Sequence, residues 1–338
     1  MLRLAFALAI LLIAAAQPAD AQTRARSERV KPSGDIKIGV GHGIGFLPLY
    51  LASDLKLFDK YAKAAGLPQR IVVERYNSAA PLRQAMNRGE LAAGAFGLPA
   101  FLLARETQKP MVAISGVTTL PLVMLTAEPN IRSISDIKPG QRIAVPLSTS
   151  PQLRYLRLQA EQLPNLGLWT RLQQQVVVMP HQDALDAMTG GKREIAAYFS
   201  SPPFTQVALK DPKVRAVLSS VDVLGGKSSF FVIAAPRTTL ATNPKLAEVV
   251  AKAIDEASAL IGKDPKRAAV TWLKYEPSHS LDVRAVEAIL RDLKDEFGSG
   301  VYGVSATAAL MNREGKLNGA VANWKDAVAP AIAAGPGS

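Results

Sequence analysis

Twelve residues, in turns that follow predicted strands or at a predicted hinge, could bind a small polar ligand. They are His42 and Gly43, Ser78 and Ala79, Gly97 and Leu98, Thr118, Ser148, Thr149 and Ser150, and Tyr198 and Ser201. In an open parallel sheet, ligands bind at the carboxyl ends of the strands, where helices begin. The unpaired N–H groups of helix N-termini favour negative charge. The pattern therefore predicts a site for a small molecule that carries an anionic group.

Several of these candidates also have a simpler interpretation. His42 could donate to a ligand, or it could face solvent in a glycine-rich turn. Ser78 and the hydroxyls of 148–150 could contact a ligand or cap the helices that follow them. Thr118 could face a cleft or satisfy backbone groups, whereas Tyr198 would place an aromatic side chain opposite the first turn.

The residues that most catalytic and cofactor chemistry requires are missing. The chain has no cysteine, and its three histidines, at positions 42, 181 and 279, are not at metal-ligand spacing. The glycines of 39–45 fit no dinucleotide-binding register, and 225–228 lacks the first glycine of a phosphate-binding loop. A nucleophile elbow of the G-x-S-x-G type does not occur. We therefore expect no catalytic residue, no metal and no cofactor, and the protein is not expected to be an enzyme.

Short β-rich runs alternate with helical stretches along the chain. Predicted strands cover 36–41, 71–76, 91–96, 111–117, 142–145 and 229–234. These runs are largely apolar, which is typical of strands buried on both faces. Strand–helix alternation with short connections predicts an α/β protein with mostly parallel sheets covered by helices.

This strand–helix unit occurs twice. Residues 90–93 (Glu-Leu-Ala-Ala) correspond to residues 194–197 (Glu-Ile-Ala-Ala), 104 positions later. The strand residues Ile38 and Ile143 are 105 positions apart. A nearly constant offset at two distant places favours two similar lobes over a chance similarity between alanine-rich segments.

The repeat defines the predicted domain boundaries. Lobe I comprises 36–118 together with 226–338, lobe II comprises 122–222, and the hinge crossings lie near 118–121 and 223–226. The end of lobe I is a predicted helical tail. Within it, Asn243 and Asp264 each precede a proline and are expected to cap helices.

Residues 1–21 are predicted to form a cleavable signal peptide. A basic residue precedes the apolar run 4–16, and the small residues of a cleavage site end at Ala21. The run is too short for a helix to span a bilayer core of about 30 Å. Cleavage after Ala21 would leave a flexible leader over 22–35.

The composition fits an exported protein. A chain without cysteine has neither a disulfide framework nor a cysteine for lipid attachment, and 48% hydrophobic residues suffice for a large core. The formal net charge is +12, but the positive residues are scattered and are not interleaved with aromatic ones. We expect a periplasmic monomer that binds no nucleic acid and has no membrane span after removal of the signal peptide.

Five segments taken together resemble a known family. They are 36–58, 75–102, 133–153, 179–204 and the strand at 229–234, in the order that the family has them. The family is that of the extracytoplasmic solute-binding proteins of the nitrate, sulfonate and taurine type, which share their fold with thiamine-precursor-binding proteins. The resemblance implies the type II periplasmic binding protein fold: two lobes linked by two crossings, with flanking helices and a helical C-terminal tail. It also implies ligand capture in the cleft, hinge closure and delivery to an ABC transporter permease.

The resemblance does not identify the ligand. Sulfonate binders often have a tryptophan and an acidic residue where this chain has the neutral segment 198–201. A sulfonate-, nitrate- or carboxylate-like anion fits the chemistry of the turns. Two other functions stay open: an enzyme on the same fold that acts on a small pyrimidine or sulfur compound, and a ligand-sensing module for a receptor. The missing cysteine and the scarcity of histidine argue against the first, whereas the sequence does not separate sensing from transport.

Overall fold

The computed structural model describes residues 34–338 except 149, 191–193, 279 and 320. The predicted signal peptide 1–21 and most of the predicted leader 22–35 lie outside the described residues, as does the candidate Thr149. Residues 34–338 form one compact unit. Within this part of the chain, no helix is long and apolar enough to cross a membrane.

The described residues contain ten strands in two five-stranded sheets. The strands are β1 (Ile36–Val40), β2 (Ile71–Arg75), β3 (Ala93–Gly97), β4 (Met111–Thr118), β5 (Val123–Thr126), β6 (Ile143–Val145), β7 (Val176–Val178), β8 (Ala197–Ser200), β9 (Arg215–Ser219) and β10 (Phe231–Pro236). The first sheet has the order β2-β1-β3-β10-β4 and the second has the order β7-β6-β8-β5-β9. In each sheet one strand, β10 or β5, is antiparallel to its neighbours. The predicted fold class is confirmed, with two mixed but mostly parallel sheets.

The two sheets also share the register of their central strands. Ile38 pairs with Ala93 in the first sheet, and Ile143 pairs with Ala197 in the second. These four residues are the ones that the sequence repeat aligns. Because a slip of one residue would turn every side chain to the opposite face, the common register means that the internal repeat is a structural repeat.

In each sheet, the antiparallel strand is preceded along the chain by a strand of the other sheet. β5 follows β4 directly, and β10 comes after β9 and one short helix. The chain therefore crosses between the sheets twice, over 119–122 and 225–230, close to the expected hinge crossings. The strands of the first sheet lie in the segments assigned to lobe I and those of the second in lobe II, while the lobe boundaries themselves stay a prediction.

Helices pack on the sheets. Those in the described residues are α1 (Leu47–Asp54), α2 (Leu57–Ala65), α3 (Ala79–Arg88), α4 (Leu98–Arg105), α5 (Pro151–Gln162), α6 (Leu168–Leu172), α7 (His181–Thr189), α8 (Phe204–Ala208), α9 (Ser220–Leu224), α10 (Arg237–Thr242), α11 (Leu246–Lys263), α12 (Pro265–Tyr275), α13 (Val283–Leu293) and α14 (Val304–Arg313). Proline at the first or second position begins α1, α4, α5 and α12, since its missing N–H has no partner to lose there.

Both faces of each sheet are buried. Along β4, Val112 and Ile114 belong to one hydrophobic cluster, whereas Met111 and Ala113 belong to another. Alternation of this kind is expected because successive strand residues point to opposite faces. The second sheet likewise lies between two clusters.

The C-terminal helices α11, α12 and α13 pack on the first sheet, in the same cluster as β1 and α1. Asp264 caps α12 as expected, because its carboxylate accepts from the Arg267 N–H at 3.0 Å. The expectation for Asn243 is wrong. Its amide donates to the Thr239 carbonyl at 3.1 Å, so that it ends α10, and α11 begins only at Leu246.

Helix α14 contacts the cores of both lobes. Val304 and Met311 pack in a cluster of lobe I, whereas Leu310 packs with the second sheet. Just beyond the helix, Glu314 accepts from Arg154 of α5 at 2.8 Å. The helix therefore joins the two lobes at a point separate from the two crossings.

Candidate functional site

A carboxylate from the C-terminal tail holds the turn after β1. Gly43 has a φ of 118°, a conformation that glycine adopts without strain. Its N–H donates at 3.0 Å to Oε1 of Glu276, the residue that follows α12. The leading turn of lobe I, predicted to contact the ligand, thus already contacts an anion of the protein itself.

Two further groups contact the same carboxylate. The Tyr50 hydroxyl donates to Oε1 at 2.7 Å, and Arg75 Nη2 lies 3.3 Å from that oxygen. Burial, and next the hydrogen bond to Glu276, raise the pKa of Tyr50 above its ordinary value, so that the phenol keeps its proton. The Glu276 side chain is only 15% exposed, and these partners offset the cost of burying its charge.

His42 lies at the exposed rim of this cluster. Its Nε2 is 3.2 Å from Asn77 Oδ1, and its Nδ1 is 2.7 Å from Arg75 Nη2 and 3.3 Å from Glu276 Oε2. Because a guanidinium can only donate, Nδ1 accepts the shorter bond and the proton is assigned to Nε2. His42 therefore has no proton to give Glu276 Oε2.

A cavity of ≈ 270 Å³ opens beside the cluster. Its lining from lobe I is Gly43, Trp272, Glu276, Pro277, Ser278, Ser280 and Leu281, and its lining from lobe II is Gln182, Pro203, Phe204 and Val207. The cavity therefore lies between the two lobes. Among the described lining residues, the only charged side chain is that of Glu276.

A buried polar network supports the lobe II wall of this cavity. His181 begins α7, and its Nδ1 bonds to the Tyr198 hydroxyl while its Nε2 lies 3.0 Å from Ser201 Oγ. The His181 ring stacks on Phe204, with 5.1 Å between ring centroids. Two predicted ligand residues, Tyr198 and Ser201, thus meet at His181, which is joined to the cavity through the ring of Phe204.

Burial keeps both titratable groups of this network, His181 and Tyr198, in their neutral forms. Burial lowers the pKa of His181 from 6.5 to about 4, and burial raises the pKa of Tyr198. A general base works best with a pKa near the working pH, so His181 is poorly suited to activate Ser201. In the described part of the chain, no three His, Asp or Glu side chains are placed to hold a metal ion.

Four other predicted residues lie at least partly exposed, outside the described lining of the cavity. Ser78 and Ala79 are exposed at the start of α3, where the Ser78 hydroxyl makes no capping bond. Gly97 is half-buried at the end of β3, and Ser148 is exposed in the turn before α5.

Besides Tyr198 and Ser201, three more predicted residues are buried. Leu98 is 1% exposed and packs in the core, because α4 turns this face towards the sheet. Thr118 is also 1% exposed, and its hydroxyl has no hydrogen-bond partner among the described residues. Ser150 caps α5 by accepting from the Leu153 N–H at 3.4 Å, which is the simpler of its two interpretations.

The sequence prediction missed several residues that shape the site. Arg75 ends β2, shortly before the predicted turn residues Ser78 and Ala79, so that a strand-end signal is available for it. The position of His181 in the sequence excludes metal-ligand spacing but does not indicate a role in the site. Glu276 and Trp272 come from the C-terminal tail, which has no counterpart in the internal repeat, and no local pattern in the sequence marks them.

Two lobes with a cavity between them and ten strands in this order define the periplasmic binding protein fold. No protein-family model and no curated protein matches the sequence. Solved structures, however, match it over most of its length.

The periplasmic aliphatic sulphonate-binding protein SsuA from Escherichia coli is 19% identical with a TM-score of 0.69, over 89% of this chain and 99% of that one. The alkanesulfonate-binding protein SsuA from Xanthomonas axonopodis pv. citri, bound to MOPS, is 18% identical with a TM-score of 0.63, over 88% and 97%. The periplasmic nitrate-binding protein NrtA from Synechocystis PCC 6803 is 13% identical with a TM-score of 0.61, over 88% and 86%. At identities this low, the structural match establishes the fold alone. The expected resemblance is confirmed at that level.

Proposed function

We propose that this protein is a periplasmic substrate-binding protein that captures a small organic molecule between its lobes and delivers it to an ABC importer. The observation that carries the proposal is the cavity of ≈ 270 Å³ with walls from both lobes. Ligands bind preferentially in clefts at domain interfaces. A cleft wall divided between two bodies suits a ligand that favours the closed arrangement.

The proposal includes the ligand class that the turns predict, a sulfonate-, nitrate- or carboxylate-like anion. The neighbouring structures of a sulphonate-binding and a nitrate-binding protein are in keeping with it. In this chain the exposed Ser148, before the N-terminus of α5, is the candidate for the anionic group. The Gly43 N–H, by contrast, is taken by Glu276.

The proposal also includes a permease subunit as the partner and a monomeric state. Two chain crossings between the sheets are suited to a hinge, because few residues need to change conformation for the lobes to move. A permease could then distinguish the closed, loaded protein from the open one.

Binding is tested with purified protein and a library of sulfonates, carboxylates, nitrate and amines. We expect at least one compound to raise the melting temperature and to reduce the radius of gyration in X-ray scattering. Val207→Trp should fill the cavity and abolish both effects. The matched control is Val270→Trp on α12, since Val270 is 52% exposed and does not line the cavity.

Transport is tested separately in a strain that lacks the protein. Loss of uptake of the identified compound, restored by the native chain but not by Val207→Trp, supports import. Normal uptake together with tight binding would instead favour a sensing role. A protein that binds and compacts with nothing in the library contradicts the proposal.

A further inference from the structure

The cavity between the lobes has an electrostatic character of its own. Its described lining contains no Lys or Arg, two aromatic rings from Trp272 and Phe204, and one acid, Glu276. Burying an anion beside a carboxylate in such a place is unfavourable, because like charges repel more strongly where water is excluded. Arg75 pairs with Oε1 of Glu276 from outside the described lining, and the charged side chain that a ligand meets in the lining itself is acidic, which favours a positive group over a negative one.

The two carboxylate oxygens of Glu276 differ in their partners. Oε1 accepts from the Gly43 N–H and the Tyr50 hydroxyl and lies near Arg75. Oε2 lies close only to His42 Nδ1, at 3.3 Å, and that nitrogen accepts from Arg75 at 2.7 Å. Oε2 therefore has no donor among the described residues and keeps its capacity to accept from a ligand.

Aromatic rings complete this environment for a cation. Trp272 and Phe204 come from opposite lobes, and both line the cavity. The face of an aromatic ring attracts an ammonium group, most strongly where water is excluded. The Phe204 ring stacks on His181 through one face, which fixes the plane of the ring before a ligand arrives.

We propose that Glu276 is a specificity-determining residue and that, with Trp272 and Phe204, it binds an ammonium group of the ligand. The inference rests on the proposed function, because it assigns the ligand of the same cleft. Any anionic group of that ligand would then lie away from Glu276, towards the turn that contains Ser148. A ligand whose only charged group is an anion in this cavity is disfavoured.

The test uses four probes that share one apolar body: 2-phenylethylamine, its N,N,N-trimethyl derivative, 2-phenylethanol and 3-phenylpropionate. Calorimetry with the native protein should rank both cations above the alcohol and the alcohol above the carboxylate. In Glu276→Gln the amide oxygen can still accept from Gly43 and Tyr50, while the charge is lost. The cations should bind roughly 10- to 100-fold more weakly to this variant, with the alcohol little changed.

The matched control is Glu256→Gln. Glu256 also accepts from a tyrosine hydroxyl, that of Tyr61 at 2.6 Å, and from a lysine, but it is not among the residues that line the cavity. All four probes should bind this variant as they bind the native protein. A second variant, Phe204→Leu, keeps an apolar wall without the ring and should weaken the trimethylammonium probe selectively.

The two proposals fail in different ways. If 3-phenylpropionate binds as well as the amine, or if Glu276→Gln leaves the affinity for the cations unchanged, the assignment of Glu276 is wrong. Should simple sulfonates bind and compact the native protein while no amine does, the assignment is wrong and the proposed function stands. If no compound of any charge binds, both are wrong.

Discussion

The two sheets have the same strand order and the same central register, yet the turns at their carboxyl ends are stabilised differently. In lobe I the turn after β1 relies on Glu276, a residue more than 200 positions away in the sequence. In lobe II the turn after β6 leads into α5, which is capped by its own Ser150. The backbone is therefore repeated, but the side chains that stabilise the two turns are not. The negative charge in the cleft is that of Glu276, which comes from the C-terminal tail.

The buried polar groups of the two lobes differ in the same sense. The cluster around Glu276 in lobe I is charged and includes Arg75. The network around His181 in lobe II is neutral, because burial holds the histidine unprotonated. The Glu276 cluster thus depends on a distant segment and on ion pairing, whereas the His181 network uses only residues of lobe II.

Breaking the contact between lobe I and the tail should have the largest effect on stability. A Cβ at Gly116 of β4 would lie 1.9 Å from the Gly300 carbonyl oxygen, a backbone atom that cannot rotate away. We expect Gly116→Ala to lower the free energy of unfolding by about 3 kcal/mol in urea denaturation. In the control Gly97→Ala the nearest atom is 3.7 Å away, and the change should stay within about 0.5 kcal/mol. Equal losses of stability in the two variants would contradict the importance of the contact between Gly116 and Gly300.

Acid should destabilise lobe II through His181. Its pKa is about 4 in the folded protein, below the 6.5 of an exposed histidine, so the unfolded chain takes up the proton first. The contribution to stability is complete above pH 6.5 and is lost as the pH falls towards 4, by roughly 2–3 kcal/mol. Thermal melts between pH 7 and 4 measure it. His181→Gln should show a flatter pH dependence, and an unchanged slope would disprove the assignment to His181.

The link between α5 and α14 should contribute less. Arg154 pairs with Glu314, whose side chain is 9% exposed, so that removing the arginine leaves a buried charge without its partner. We expect Arg154→Met to cost about 1–2 kcal/mol in chemical denaturation. The control is Arg157→Met on the same helix, because the Arg157–Glu161 pair is 46% and 45% exposed and should contribute about 0.5 kcal/mol or less. A loss for Arg154→Met no larger than that of the control would contradict a contribution from the link between the lobes.

The smallest expected effect on stability distinguishes a helix that has a capping side chain, α5, from one that has none, α3. Ser150→Ala removes the capping bond of α5 and should cost about 1 kcal/mol. Ser78→Ala at the start of α3 should cost less, because the Ser78 hydroxyl makes no capping bond. Circular dichroism melts of both variants measure the difference. If ligand is added and Ser78→Ala then binds more weakly, this serine contacts the ligand rather than the helix.

The fold could be predicted because its determinants are local and repeated. Ile38 and Ile143 lie in apolar runs of strand length, and the segments 90–93 and 194–197 lead into matching strands at nearly the same distance from them. The prediction was wrong where a helix boundary depended on a preceding helix that the sequence analysis had not identified. Asn243 looks like the start of α11, but α10 ends there first.

The site could be predicted only where it lies on the repeated turns. His42 and Gly43 contact Glu276 beside the cavity, because their turn follows a strand. Tyr198 lies in a strand buried on both faces, so alternation could not tell core from cleft. Glu276 reaches the turn only through the packing of α12 on lobe I, a long-range contact that no sequence window contains.

The positions of the antiparallel strands β5 and β10 along the chain determine the order in which the two sheets can be completed during synthesis. The five strands of the second sheet lie in one continuous stretch, from β5 to β9, so that this sheet can form as soon as the stretch is available. In the first sheet β10 lies between β3 and β4, and β4 has no neighbour there until residues 231–236 arrive. Long-range strand pairing of this kind slows folding and leaves strand edges open meanwhile. The lobe that begins first in the sequence is therefore the one that finishes last.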